Sequence, residues 1–169
     1  LRLTRKNVSD DKKIPMKYLI LCCFPLFFLS TCDDDEQVTT NSVEDYLIFG
    51  RYGFECFGNC ITVYKLQGGE LFADDLEYGF PETDDFQTTP LGTAQFQIAE
   101  VLSDEFPEEL LETDQRIFGC PDCVDQGGFY LSLKRNGTVT TWQIDTDDVD
   151  QTQGILDYKA RIIEVMEAL

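Results

Sequence analysis

Read for apolar and polar positions alone, the chain falls into three stretches. Tyr18 to Leu29 is an apolar run of about a dozen residues, shorter than the ~20 that a bilayer-crossing helix needs. Asp33 to Ser42 is polar and without periodicity, the pattern of a flexible tether. Beyond it, alternation and helical spacing take turns. Tyr46 to Phe49 reads as a strand, and Ile61 to Leu66, Gly68-Gly69 and Leu71 to Leu76 read as a β-hairpin. A second hairpin, Phe129 to Arg135 and Thr138 to Ile144, turns at Asn136-Gly137. A two-residue turn there sets Leu133 opposite Thr140, Leu131 opposite Trp142 and Phe129 opposite Ile144 on one face. Ser132 then meets Thr141, and Tyr130 meets Gln143, on the other. The same turn accounts for Asn136-Gly137-Thr138 without invoking a glycosylation site.

Between the hairpins, Thr89-Pro90 offers a helix start, and Phe96, Ala99, Leu102 and Phe106 follow at helical spacing until Pro107 interrupts, with a short further turn at Glu108 to Leu111. A last helix carries Ile155, Tyr158, Ile162, Val165 and Met166 on one face. The predicted fold is α+β: an antiparallel sheet of two hairpins plus an N-terminal strand, covered by two helices, in the order βββ-α-ββ-α. Residues 1–15 read as an upstream extension, 16–31 as a signal segment, 32–44 as the tether and 45–169 as a single domain.

Charge sharpens this picture. Seven of the 13 Lys and Arg and 30 of the 32 Asp and Glu lie after Thr31, so that part carries an excess of 23 negative charges. Such a field repels phosphate backbones and excludes nucleic acid as a partner. Histidine is absent, which removes Ser-His and Cys-His catalysis and the commonest zinc ligand.

Met16-Lys17, the apolar run and Leu29-Ser30-Thr31-Cys32 have the layout of a secretory signal peptide. Leu29 to Cys32 resembles a lipobox, with Thr31 standing where Gly, Ala or Ser is usual. The resemblance implies cleavage before Cys32 and a lipid on its sulfur, and hence a membrane as partner. Two or three acyl chains, at about 0.8 kcal/mol per buried methylene, hold such an anchor stably. The acidic run Asp33-Asp34-Asp35-Glu36 resembles the surface-export signal of Bacteroidota lipoproteins, which implies the outer face of the outer membrane, with the periplasmic face as alternative.

Cys22 and Cys23 leave with the signal segment and Cys32 is taken by lipid, so four cysteines remain: Cys56, Cys60, Cys120 and Cys123. In an exported chain disulfides are the default. Pairing between the two motifs is the favoured connectivity, since closing a loop of about 60 residues contributes about 4 kcal/mol. Zinc held by the four thiolates is an alternative, and a thiol redox role for Cys120-Pro121-Asp122-Cys123 is another. Gly119 to Cys123, with Asp125, Gln126 and Gly127 before a hairpin, resembles a loop of small surface lipoproteins of the Bacteroidota. That likeness implies fold and location and supplies no catalytic residue.

Asp145, Asp147, Asp148 and Asp150 form a weak calcium candidate. Counted as an EF-hand loop from Asp145, the fifth and twelfth positions are Val149 and Leu156, which offer no side-chain oxygen. Negative charge at a helix entry is the expected role. Gly79 to Glu82, with Asp84 and Asp85, reads as a solvated turn. The function expected is non-enzymatic: binding of a protein or glycan, or a structural place in the envelope, with no cofactor besides the lipid on Cys32.

Overall fold

The computed structural model describes residues 44–53, 60–76, 79–82 and 85–169. The signal segment, Cys32, the tether as far as residue 43 and Cys56 lie outside the described residues. Among the described residues no helix is long and apolar enough to cross a membrane.

Tyr46–Tyr52 (β1) is buried along almost its whole length, with Arg51 as the exposed exception. It pairs antiparallel with Ile61–Gln67 (β2) on one side and with Gly128–Arg135 (β5) on the other. Beyond β2 lies Glu70–Ala73 (β3), reached through the Gly68-Gly69 turn. Beyond β5 lies Thr138–Asp145 (β6), in the register that the Asn136-Gly137 turn predicts: Leu133 with Thr140, Leu131 with Trp142, Phe129 with Ile144. Asn136 and Gly137 both take positive φ, as a two-residue hairpin turn requires.

The α+β class stands, but the sheet is mixed rather than wholly antiparallel. Ile117–Phe118 (β4) adds a sixth strand parallel to β6, giving the order β3-β2-β1-β5-β6-β4. Two residues are too few to show alternation. The strand is held in place by the Gln143 N–H donating to the Arg116 carbonyl at 2.9 Å. The helix predicted from Pro90 also differs. It begins at Thr93 (α1, Thr93–Ala99) and gives way at Glu100 to a separate turn (α2, Val101–Asp104), with Glu108–Glu112 (α3) after Pro107. The late start has a structural reason: the Leu91 N–H donates to the Leu71 carbonyl at 2.7 Å and the Gln87 N–H to the Ala73 carbonyl at 2.9 Å, so residues 87–91 cover the edge of β3.

Two apolar clusters flank the sheet. On one side Leu47, Phe49, Leu131, Trp142 and Ile144 pack under Ala99, Leu102, Leu110 and the helix Gln153–Ala168 (α4), which supplies Ile155, Tyr158, Ile162 and Val165. Phe106 lies against both Trp142 and Tyr158, with ring centroids 5.6 and 5.5 Å away, and the Tyr158 hydroxyl donates to the Leu102 carbonyl at 2.8 Å. On the other side Tyr46, Ile48, Tyr52, Ile61, Val63 and Tyr130 are covered by the segment after β3. That segment is not a solvated turn. Asp74 bridges Phe86, its carboxylate accepts the N–H groups of Val63 and Leu76, Phe86 and Pro81 are buried, and Phe80 stacks against Tyr130.

Gly50, in the middle of β1, allows β1 and β2 to approach this closely. A β-carbon there would strike the Thr62 carbonyl oxygen and lie 2.6 Å from Val63 Cα. Both obstacles are backbone and have little room to move. Gly50→Ala is therefore expected to lower unfolding free energy in urea by about 3 kcal/mol, and a loss under ~0.5 kcal/mol would show that the strands separate easily.

Candidate functional site

The sequence-predicted residues gather at the end of the sheet where β1 finishes and β2 and β5 begin. Cys60 precedes β2 and Cys120 to Gly127 precede β5, and both strands pair with Tyr52 in this region. Cys60 and the Cys120–Cys123 motif thus share one end of the domain, but no disulfide joins them. Cys120 is bonded to Cys123 within its own motif. Cys60 is also disulfide-bonded, and neither Cys120 nor Cys123 is its partner. The expected pairing between the motifs is overturned. A disulfide closing four residues contributes about 2 kcal/mol in the chain-entropy view, against about 4 for a loop of about 60 residues. Cys120 and Cys123 are held as a disulfide, so the thiolates that a four-cysteine zinc site would use are engaged with each other.

Non-covalent bonds hold the Cys120–Cys123 loop independently of its sulfurs. Asp122, at φ 61°, receives the Gly127 N–H on its carboxylate at 2.9 Å and donates its own N–H to the Gly127 carbonyl at 3.0 Å. Gln126 donates to the Cys120 carbonyl and accepts the Val124 N–H. Gly119 and Gly127 take positive φ under close cover: a β-carbon on Gly119 would sit 2.6 Å from Asp145 Cβ, and one on Gly127 would strike the Tyr52 carbonyl oxygen.

Asp145 is the residue on which this arrangement turns. It closes β6, is buried, and binds the loop from below. Its Oδ2 accepts the Cys120 N–H at 2.7 Å, while Oδ1 accepts the Gln126 side chain at 3.2 Å and the Asp147 N–H at 3.1 Å. Burial pushes its carboxyl pKa up, but the hydrogen bonds from Cys120, Asp147, Gln126 and Thr146 outweigh that and bring it below the ordinary value. Tyr52, at the same end, is pushed up to about 12 by burial and then by the charges of Asp122 and Asp145.

The acidic run that follows is organised by a lysine. Lys159, buried on α4, points its ammonium at the carbonyls of Asp145, Thr146 and Asp147 at 3.1–3.3 Å and at the Asp148 carboxylate at 2.8 Å. Gln151 donates to the carbonyls of Asp145 and Asp147. The oxygens that a calcium ion would recruit here already face a fixed cation. Nor do the aspartates serve the helix dipole: the first turn of α4 holds no acidic residue, and Thr152 caps it by accepting the Ile155 N–H. Among the described residues, no group of three or more Cys, Asp or Glu side chains is placed to hold a metal. Sequence reasoning passed over Lys159; the one available signal was a lysine on the apolar stripe of a predicted helix, four residues after Ile155 and three before Ile162.

Chemically, this end of the sheet favours the oxidised state. Both cysteines are exposed, the carboxylates nearby disfavour a thiolate, and the motif leads into a strand where a helix N-terminus would have stabilised one. No family model matches the chain, and neither the curated proteins nor the solved structures contain a match.

Two outcomes follow. Asp145→Asn sets an amide N–H₂ against backbone N–H donors, and is expected to cost about 1–3 kcal/mol in urea denaturation at neutral pH. Because the folded pKa of Asp145 lies below its unfolded value, the stability it provides is present above the unfolded pKa and disappears as pH falls through the folded one, so the gap between wild type and variant should narrow on acidification. A gap that is constant with pH would mean that the carboxylate charge plays no part. Replacing Cys120 and Cys123 together by serine should leave the fold intact and cost no more than about 2 kcal/mol by the same denaturation measurement; an unfolded protein by circular dichroism would make this small loop an essential staple.

Proposed function

We propose that this chain is an exported lipoprotein, held to a membrane by lipid on Cys32, whose domain acts by binding a protein or glycan or as a structural part of the envelope rather than by catalysis. The observation that carries the reading is the order Met16-Lys17, apolar Tyr18 to Leu29, then Leu29-Ser30-Thr31-Cys32 and four acidic residues. The acidic run after Cys32 supports the outer face of the outer membrane as the location, with the periplasmic face as the alternative. A disulfide-bearing domain suits an oxidising compartment. The charged groups described above serve loop and helix geometry, and a chain without histidine has no imidazole base to offer a nucleophile.

A second reading, thiol–disulfide exchange at Cys120 and Cys123, draws on the exposure of both cysteines and on a loop that keeps its own hydrogen bonds. It predicts that a soluble protein dithiol is oxidised by the purified protein in stoichiometric amounts while Cys120 and Cys123 become labelled as thiols.

Expressed in a bacterial host that processes lipoproteins, the wild-type chain should fractionate with membranes and yield an N-terminal peptide whose mass includes diacylglycerol on Cys32. Cys32→Ala should shift the domain to the soluble fraction with its fold unchanged by circular dichroism. Membrane retention of that variant to the wild-type extent would overturn the anchor.

A further inference from the structure

The two edges of the sheet are finished differently. The outer side of β3 is covered by residues 87–91, which bring it the N–H groups of Leu91 and Gln87. The outer side of β6 is covered at its far end alone, where β4 pairs with Gln143 and Ile144. From Thr138 to Trp142, among the described residues, no strand lies alongside.

Register fixes which backbone groups face out there. The Gln143 N–H points away from β5, to the Arg116 carbonyl. Strand residues alternate, so the N–H and C=O groups of Thr141 and Val139 point the same way, while those of Thr138, Thr140 and Trp142 turn to β5. Two donors and two acceptors therefore stand at ladder spacing with no chain beside them. The run Thr138-Val139-Thr140-Thr141 is wholly β-branched and contains neither charge nor proline, the devices that ordinarily close a sheet edge to other chains. Lys134, which faces Val139 across the hairpin, leans the other way, over the Tyr46 ring of β1. Val139 and, further along the same face, Ile117 are each more than half exposed, so apolar side chains accompany the free backbone groups.

We propose that this edge takes on an extended cationic peptide as a further strand along Thr138 to Thr141, hydrogen-bonded to Val139 and Thr141, with its apolar side chains beside Val139 and Ile117. Backbone pairing holds the peptide and charge selects it. The excess of 23 negative charges after Thr31 attracts a basic chain and opposes a second copy of this one. Four paired residues also bury far less than the ~1,200 Å² that a stable dimer needs. The inference rests on the reading of the domain as a binding module and needs no lipid anchor.

The probe is acetyl-Lys-Lys-Thr-Val-Thr-Val-Lys-Lys-amide, titrated into the purified protein and followed by NMR and amide hydrogen exchange. Saturation is expected at or below ~5 mM peptide. Exchange of the Val139 and Thr141 amides should then slow about tenfold, and that of Thr140, already bonded to β5, several-fold less. Methylating the peptide's nitrogens at alternate residues should abolish the effect for one set and spare it for the other, a test that leaves the protein untouched. Val139→Pro removes an outward donor that β5 does not use, so the fold should persist by circular dichroism and affinity should fall about tenfold; if that variant misfolds, the methylated peptides decide. Replacing the four lysines by glutamate should weaken binding about tenfold at low salt. Unslowed exchange at Val139 and Thr141, or equal binding of the two methylated sets, overturns the proposal, and equal binding of the glutamate peptide overturns its cationic partner. Protection of the same amides that rises with protein concentration alone also overturns it, making the occupant a second copy. Saturable shifts confined to another face overturn this edge but leave the domain a binding module.

Discussion

β1 is buried on both faces of the sheet, and the placement of everything around it answers that constraint. Leu47 and Phe49 point to one side, Tyr46, Ile48 and Tyr52 to the other, and both sets are nearly inaccessible. Burying an apolar side chain of this size contributes about 1.5–3 kcal/mol, so leaving either face open would forfeit several such contributions. Four helices close the first face. Among the described residues the second carries no helix and is closed by residues after β3, held by the Asp74 bridge to Phe86 and by the packing of Phe80, Pro81 and Phe86. Gly50 belongs to the same constraint, because a strand clamped between two partners and two covers has no space for a side chain facing the β2 backbone.

The parts of this fold legible in the sequence are those in which local pattern and tertiary contact agree. The β5–β6 register follows from Asn136-Gly137, because a two-residue turn leaves a single alignment that keeps Phe129, Leu131, Trp142 and Ile144 together. The apolar stripe of α4 is similarly unambiguous. The parts missed are those decided by distant partners. Residues 87–91 stay out of the helix because the edge of β3 offers the Leu71 and Ala73 carbonyls to Leu91 and Gln87, although Pro90 taken alone invites a helix. The acidic composition of residues 79–86 reads as solvent-facing, and only the apolar face beside it shows why Phe80, Pro81 and Phe86 are interspersed there.

The candidate site was less legible than the fold, and the cysteines show why. Sequence separates the two motifs by about 60 residues, and an entropy argument favours joining them. The backbone decides otherwise: positive φ at Gly119, Asp122, Asp125 and Gly127 winds the chain so tightly that Cys120 meets Cys123, and Asp145 fixes the winding from beneath. Composition indicates which residues are acidic but not which of them face inward. Of the four aspartates from the end of β6 to α4, Asp145 alone is buried, and it is spent on the loop before β5.

Lys159 explains how so acidic a segment can be compact. Four oxygens converge on one ammonium carried by the neighbouring helix, so the repulsion among Asp145, Asp147 and Asp148 is offset from within the chain, and the β6–α4 connection is tied to both. The same accounting, extended over the domain, gives each cation a structural partner until it reaches Arg135. The two ends of β1 therefore carry different chemistry. At one, carboxylates lock a disulfide loop in place and leave little to bind. At the other, the Asp45 carboxylate accepts the Asn136 N–H and fixes the β5–β6 turn against the start of β1.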